Sequence, residues 1–292
     1  MISGKLILNF SLKRNFFRNT FFVSVNRFVS QTVIKNDASE EKTTHFGFQQ
    51  VKESEKTEKV RKLFEDVASK YDIMNDVTSL GIHRIWKDIF IHRLAPTKNT
   101  TLLDMAGGTG DIAFRFLNYI KSSKSEAGCH VVVCDINENM LEVGKARSKN
   151  LNHNQNVISW KQANAENLPF EDNSFSAYTI AFGIRNMTHI DQVLREAYRV
   201  LQPGGRFMCL EFSHVNNPLL QWVYDQYSFQ VIPVLGQIIA EQWKPYQYLV
   251  ESIRQFPDQE KFKKMIEEAG FRAVTYENLT NGVVSIHSGF KL

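Results

Sequence analysis

An α/β fold, with a seven-stranded, mostly parallel sheet and helices on both faces, is predicted from three observations. From Thr101 onward, short β-branched runs alternate with helical patterns, the arrangement that produces right-handed βαβ units and a parallel sheet. A glycine-rich turn, Gly107 to Gly110, joins the first of those strands to the first of those helices, at the sheet edge where such folds bind ligands. Two further strand patterns close the chain, after a helix that stops at Gly270.

Residues 1–35 hold Lys5, Lys13, Arg14, Arg18, Arg27 and Lys35 and no acid, interleaved with Phe10, Phe16, Phe17, Phe21, Phe22 and Phe28. A basic, acid-poor, amphipathic segment of this kind reads as a mitochondrial transit peptide; Lys13, Arg14 and Arg18 interrupt any apolar run long enough for a secretory signal. The whole chain carries 35 basic and 31 acidic residues, but without those six cations 29 basic face 31 acidic. The remainder therefore has no general electrostatic reason to bind nucleic acid. Residues 36–58 are polar and poor in large apolar side chains, and read as a linker.

A single domain is expected over 59–292. Its first helix is marked by the one-sided stripe Val60, Leu63, Phe64, Val67 and Ala68. Strands are expected over 101–105, 130–135, 157–162, 176–182 and 206–212, with helices over 112–120, 139–149 and 191–201. Pro203-Gly204-Gly205 stops the last of these. A helical, aromatic-rich insertion at about 214–250 follows, with Trp222, Tyr224, Tyr227, Phe229, Trp243, Tyr246 and Tyr248. Its apolar run is broken by Pro233 and Gly236 before it could span a bilayer. Asp258 reads as the N-cap of a short helix with Phe262, Met265, Ile266 and Ala269 on one face. Strands over 273–279 and 283–290 complete the sheet. Cys129, Cys134 and Cys209 lack ligand spacing, so neither a metal site nor a disulfide framework is expected.

The chemistry begins at Leu102-Leu103-Asp104-Met105-Ala106-Gly107-Gly108-Thr109-Gly110-Asp111, where glycines let the backbone turn sharply and approach a ligand. By itself Gly108-x-Gly110-x-x-Ala113 also fits a dinucleotide fingerprint. Asp135, ending the second strand, suits ribose hydroxyls in either case, so a nucleoside is implied before the cofactor is. Downstream stand Asn164-Ala165-Glu166-Asn167-Leu168-Pro169-Phe170, Asp172-Asn173-Ser174-Phe175 and Arg199-Val200-Leu201-Gln202-Pro203-Gly204-Gly205. This ordered set resembles the class I S-adenosylmethionine methyltransferases, whose Rossmann-like fold places a polar side chain after the third strand against adenine.

The run from Tyr71 through Asp72, Met74, Asn75, Asp76, Gly81 and His83 to Trp86 is similar to the signature of the ubiquinone and menaquinone biosynthesis C-methyltransferases. A second family pattern matches over 199–213, and Phe182-Gly183-Ile184-Arg185-Asn186 matches too. The departures are Gln202, where a Lys is usual, and Ala181, where some relatives carry Ser. The resemblance implies S-adenosylmethionine as cofactor, held by Thr109, Asp135, Asn164 and Ala165 with the Gly107, Gly108 and Gly110 backbone beside its methionine portion and Asp104 orienting that loop or, through water, the cofactor's amino group. It implies methylation of a ring carbon of a polyprenylated benzoquinol in ubiquinone synthesis. Carbon is a weak nucleophile, so the neighbouring phenol must move toward phenolate. Arg185 and Asn186, after the fourth strand, are the implied catalytic pair. Arginine does not accept protons at neutral pH, so Arg185 polarises a water or holds the phenolate. Tyr71 is the candidate partner of the substrate hydroxyl, with Asp72 or His83 as proton acceptor. A homodimer, a multiprotein ubiquinone-synthesis complex and peripheral contact with the matrix side of the inner membrane are implied as well. The alternatives are another prenylated quinol such as demethylmenaquinol, or a scaffold that no longer catalyses.

Overall fold

The computed structural model describes residues 42–65, 75–76, 78–122, 128–151, 153–240 and 243–292. The expected transit peptide, Tyr71 and Asp72 lie outside them.

The linker reading does not hold over 42–58. A hairpin of β1 (Thr43–Phe46) and β2 (Gln49–Lys52) turns at Gly47, whose φ of 59° suits a two-residue hairpin loop. Helix α1 (Glu53–Glu65) follows directly. Polarity misled because these elements need little apolar surface. Val51, Lys56 and Val60 are buried, Lys56 donating its Nζ to Met187 O at 2.9 Å, Phe46 stacks on Tyr248 with ring centroids 4.4 Å apart, and other charges of α1 face outward in pairs such as Lys59–Glu55. Exposed pairs of this kind contribute little, so packing of the buried stripe holds α1 in place.

Helix α2 (Ile82–Leu94) starts after Gly81 in the left-handed region (φ 77°) and ends at Ala95 (φ 47°), just before Pro96. Its buried residues are His83, Trp86, Lys87, Phe90, Ile91 and Leu94, a helical stripe in which two members are polar.

The main sheet contains β3 (Thr101–Met105), β4 (His130–Asp135), β5 (Ile158–Gln162), β6 (Phe175–Ala181), β7 (Leu201–Phe212), β8 (Arg272–Leu279) and β9 (Val284–Phe290), in the order β5-β4-β3-β6-β7-β9-β8. The first five are mutually parallel; β9 lies antiparallel between β7 and β8. Pro203-Gly204-Gly205, read as a turn, sits inside β7 as an irregularity in its pairing with β6, with Gly204 at φ 82°. Helices α3 (Asp111–Ser122), α4 (Glu138–Asn150) and α5 (Ile190–Val200) make the crossovers. Strand alternation gives the sheet two cores. Leu102, Val131 and Met208 face Phe90 and Phe116, while Leu103, Tyr178 and Phe207 face Leu194 and Phe262.

The insertion forms α6 (Pro218–Gln226), a π turn (Tyr227–Val231), α7 (Ile232–Ala240) and α8 (Lys244–Gln255). Pro233 accounts for the π turn: it has no N–H to give the carbonyl of Phe229 and its ring would crowd that carbonyl in a regular α-helix. At Gly236 a Cβ would enter the ring of Tyr246, so glycine is what lets α7 and α8 approach. Helix α9 (Gln259–Glu268) starts at Asp258, whose side chain accepts from Lys261 N at 2.9 Å. Among the described residues no helix is long and apolar enough to cross a membrane.

Candidate active site

The strand order reverses between β3 and β6, and the crevice outside their carboxyl ends is where a parallel sheet offers loops from both sides. A cleft opens there. Its floor is the loop after β3. Gly107 N donates to Cys134 O (2.9 Å), Gly108 N to Asp135 Oδ2 (3.0 Å) and Asn137 N to Asp135 Oδ1 (2.9 Å). The loop is thus tied to the end of β4, with Asp135 clamped at the cleft wall. A Cβ on Gly107 would stand 2.6 Å from Val133 and 2.8 Å from Asp104 Oδ2, so glycine is what lets the loop lie close against the ends of β3 and β4.

Gly110 acts otherwise than expected. It is not on the cleft wall; its φ is 85° and a Cβ would stand 2.6 Å from the Trp160 ring. It therefore shapes the entry to α3. Thr109 lines the cleft and accepts from Arg147 Nη1 at 2.9 Å, while Asn164 and Ala165 form the wall beyond β5, the Asn164 side chain bracing Glu166 N at 3.0 Å. Thr57, Val60 and Phe64 of α1 cover the cleft from above; Val60 and Phe64 belong to the stripe that marked this helix in the sequence, and Thr57 had no such signal.

Asp104 is fully buried at the end of β3. Asp104 lines the cleft; its Oδ1 accepts from the Thr179 hydroxyl (2.9 Å), and its buried Oδ2 has no hydrogen-bond partner among the described residues. A buried acceptor left open beside a glycine cradle fits a ligand carrying a cationic amino group. Burial pushes Asp104 up to about 7 and Asp135 to about 6, the latter against the pull of three backbone N–H groups. Both folded-state values lie above the ordinary ~3.9. Their stabilisation is therefore complete below about pH 4 and lost as pH rises through about 6 and 7. Accordingly, the thermal midpoint of the ligand-free protein should fall between about pH 4 and 8, and Asp104→Asn should flatten the upper part of that fall. Parallel curves for the two proteins would show that Asp104 ionises as a surface carboxyl does.

Phe64, Lys87 and Phe182 line this cleft and also a second, smaller cavity. Phe212, Tyr248 and Leu249 supply its apolar wall, and Ser79, His83 and Arg185 its polar groups. Phe182, at the turn after β6, holds a φ of 56°, a strained conformation that packing must maintain. Lys87 Nζ pairs with Asp111 Oδ2 at 2.7 Å; burial would raise the Asp111 carboxyl, yet Lys87 and Arg115 hold it down at about 2.

Arg185 lies in the second cavity, not in the cofactor cleft, and is 5% exposed. Its Nη1 donates to Glu211 Oε1 (2.8 Å) and Phe182 O (2.6 Å). The water-polarising or phenolate-holding role read from sequence must therefore share the guanidinium with a buried carboxylate. Asn186 does reach the cleft, and its Oδ1 accepts from the Tyr248 hydroxyl at 3.1 Å. Sequence reasoning missed Lys87 and Glu211, and named Tyr248 only among the aromatics of the insertion. The signal was present for the first two: a lysine within an apolar helical stripe and a glutamate at the end of a hydrophobic strand.

A Rossmann-like sheet with one antiparallel strand at β9, a glycine cradle at its switch point and an acid at the end of the next strand place the chain among the class I S-adenosylmethionine-dependent methyltransferases. Residues 50–291 match the ubiE/COQ5 methyltransferase family, and the chain belongs to it. The 2-methoxy-6-polyprenyl-1,4-benzoquinol methylase of Drosophila melanogaster, named as mitochondrial, is 64% identical over 262 residues, 87% of each chain. The human protein of that name is 57% identical, over 85% of this chain and 84% of its own. Among solved structures, an S-adenosylmethionine-dependent methyltransferase of Thermotoga maritima shares the fold with a TM-score of 0.55 at 18% identity, covering 79% of this chain and 98% of its own. A phosphoethanolamine N-methyltransferase of Haemonchus contortus, solved with S-adenosylhomocysteine, gives 0.51 at 16%, covering 70% and 52%.

Proposed function

We propose that this enzyme methylates a ring carbon of 2-methoxy-6-polyprenyl-1,4-benzoquinol in ubiquinone synthesis. The observation that carries the reading is the aromatic second cavity, which shares Phe64, Lys87 and Phe182 with the cofactor cleft. A flat, substituted ring held there faces the cleft across Phe182. Bound S-adenosylmethionine supplies an electrophilic methyl group on a sulfonium centre. Gly107, Gly108 and Thr109 hold its methionine side, Asp135 its ribose, and Asn164 and Ala165 its base. Asn186 and Tyr248 form the seam between the two chambers. Lys87 and Arg185 provide positive potential where the phenol becomes phenolate, and Tyr71 completes the hydroxyl partner set.

The relatives' names support a mitochondrial protein, and the basic segment 1–35 supports import, with the enzyme working on the matrix face of the inner membrane. Import into isolated mitochondria followed by carbonate extraction tests that placement. Leu219, Trp222, Phe229 and Trp243 of the insertion are exposed; covering such surface favours association, in a homodimer or within a multiprotein ubiquinone-synthesis complex.

Transfer of a labelled methyl group from S-adenosylmethionine to a short-tail 2-methoxy-6-prenyl-benzoquinol, compared with a short-tail demethylmenaquinol, tests the substrate. Label on the benzoquinol ring, in clear preference to the naphthoquinol, is the expected result. The reverse preference sinks the assignment, and cofactor binding with transfer to neither quinol indicates a scaffold.

A further inference from the structure

The second cavity contains a histidine arranged differently from a packed structural one. His83 is 6% exposed, and its Nε2 lies 2.9 Å from Asp76 Oδ1. Arg84 grips the same carboxylate, Nε to Oδ1 at 2.7 Å and Nη2 to Oδ2 at 2.6 Å. With these guanidinium bonds and that of His83, the Asp76 carboxyl is held far below its ordinary range. An ionised carboxylate only accepts, so the proton of the neutral imidazole sits on Nε2 and the lone pair on Nδ1. That Nδ1 is buried and has no hydrogen-bond partner among the described residues. Buried polar atoms nearly always have one, and the exception here belongs to a cavity that adjoins the cofactor cleft.

We propose that His83 is the general base of the methyl transfer, oriented by Asp76, and that it takes the hydroxyl proton of the quinol. This rests on the substrate reading above. The O–H electron pair stays on oxygen and raises electron density at the neighbouring ring carbon. That carbon takes the methyl group as the methyl–sulfur pair returns to sulfur. The ring then loses its hydrogen as a proton and regains aromaticity, the oxygen recovers its proton from His83, and one proton per methyl leaves for solvent. Asp76 stabilises the transient imidazolium. Lys87, one turn along α2, discourages a permanently charged His83. Burial and Lys87 together hold the imidazole below its ordinary value, against the opposing pull of Asp76 and Asp111; Arg185 is the further cation lining the cavity. The base is thus neutral and ready at mitochondrial pH.

The test uses the full-length enzyme. For the unaltered protein, kcat should rise with pH along an acid limb centred below about 6.5 and then level off. His83→Asn should lose about 100-fold or more in kcat at pH 7 while binding S-adenosylhomocysteine normally. Its residual rate should climb about tenfold per pH unit up to pH 9, because the phenol, with a pKa near ~10, must ionise unaided. A ring-fluorinated quinol, whose hydroxyl is more acidic, should restore much of the variant's rate and barely change that of the unaltered enzyme. Asp76→Asn, which keeps the imidazole, should shift the acid limb to lower pH. An unchanged acid limb in both variants, or no rescue by the fluorinated quinol, overturns the proposal. An unaltered enzyme that never methylates the benzoquinol overturns the substrate reading instead.

Discussion

Glu211→Ala is expected to destabilise the protein by about 3–5 kcal/mol, the cost of stripping one partner from a buried ion pair. Glu211 is 1% exposed at the end of β7, and burial pushes its carboxyl up against the pull of Arg185. It accepts from Arg185 Nη1 at 2.8 Å and from Phe212 N at 2.9 Å. Removing it leaves a guanidinium whose Nε already lacks a partner among the described residues, packed over the Phe212 ring at 5.4 Å. For a domain of this size the loss corresponds to roughly 10 °C in Tm. Glu211→Gln, which keeps an acceptor, should lose less. The double replacement Arg185→Met with Glu211→Met should recover most of the stability, since an apolar pair avoids the desolvation penalty altogether. If the recovered double variant also regains methyl transfer, Arg185 has no part in the chemistry and its ion pair is purely structural. If it folds without turnover, the positive charge at the second cavity is what the reaction needs. A loss below about 1 kcal/mol for Glu211→Ala would mean that water reaches the pair.

The parallel sheet was readable because its signals are local. Each strand and crossover helix carries its own periodicity, and the glycine loop with Asp135 lies within one βαβ unit. The same locality explains what was missed. The stretch 42–58 reads as polar, yet two buried side chains, Val51 and Lys56, and one stacked phenylalanine suffice to dock it, and tertiary partners such as Tyr248 and Glu251 are what show this. Arg185 looked free to act because its partner Glu211 is 26 residues away and meets it only where β6 and β7 run side by side, with Phe182 N bonded to Leu210 O. The second cavity draws on α2, the turn after β6, β7 and α8; no window of sequence contains it. His83 and Lys87 are a middle case. Their four-residue spacing on an apolar stripe was visible, but whether such residues are paired, buried or opposed to a cavity is a matter of what surrounds the helix.

Asp135→Ala is expected to lower affinity for S-adenosylhomocysteine about 100- to 1,000-fold by calorimetric titration. The carboxylate offers its two oxygens to Gly108 N and Asn137 N and, through remaining lone pairs, to the vicinal hydroxyls of a ribose in the cleft. Two charge-assisted bonds to the ligand disappear together, and the glycine loop loses the tie that fixes Gly108 at φ 53°. Stability should change far less than affinity. Relief from burying a carboxylate that burial has raised to about 6 opposes the loss of its bonds from backbone N–H groups, so the ligand-free Tm should stay within a few degrees. Asp135→Asn, which retains one acceptor oxygen but not the charge, should fall between the two in affinity. The conditional signature is the difference in ligand-induced stabilisation. Saturating ligand raises the Tm of the unaltered protein by mass action, and that rise should nearly vanish in Asp135→Ala at the same concentration. Unchanged affinity in Asp135→Ala would place the ribose elsewhere and return the glycine cradle to the general class of nucleotide sites from which its motif alone could not be told apart.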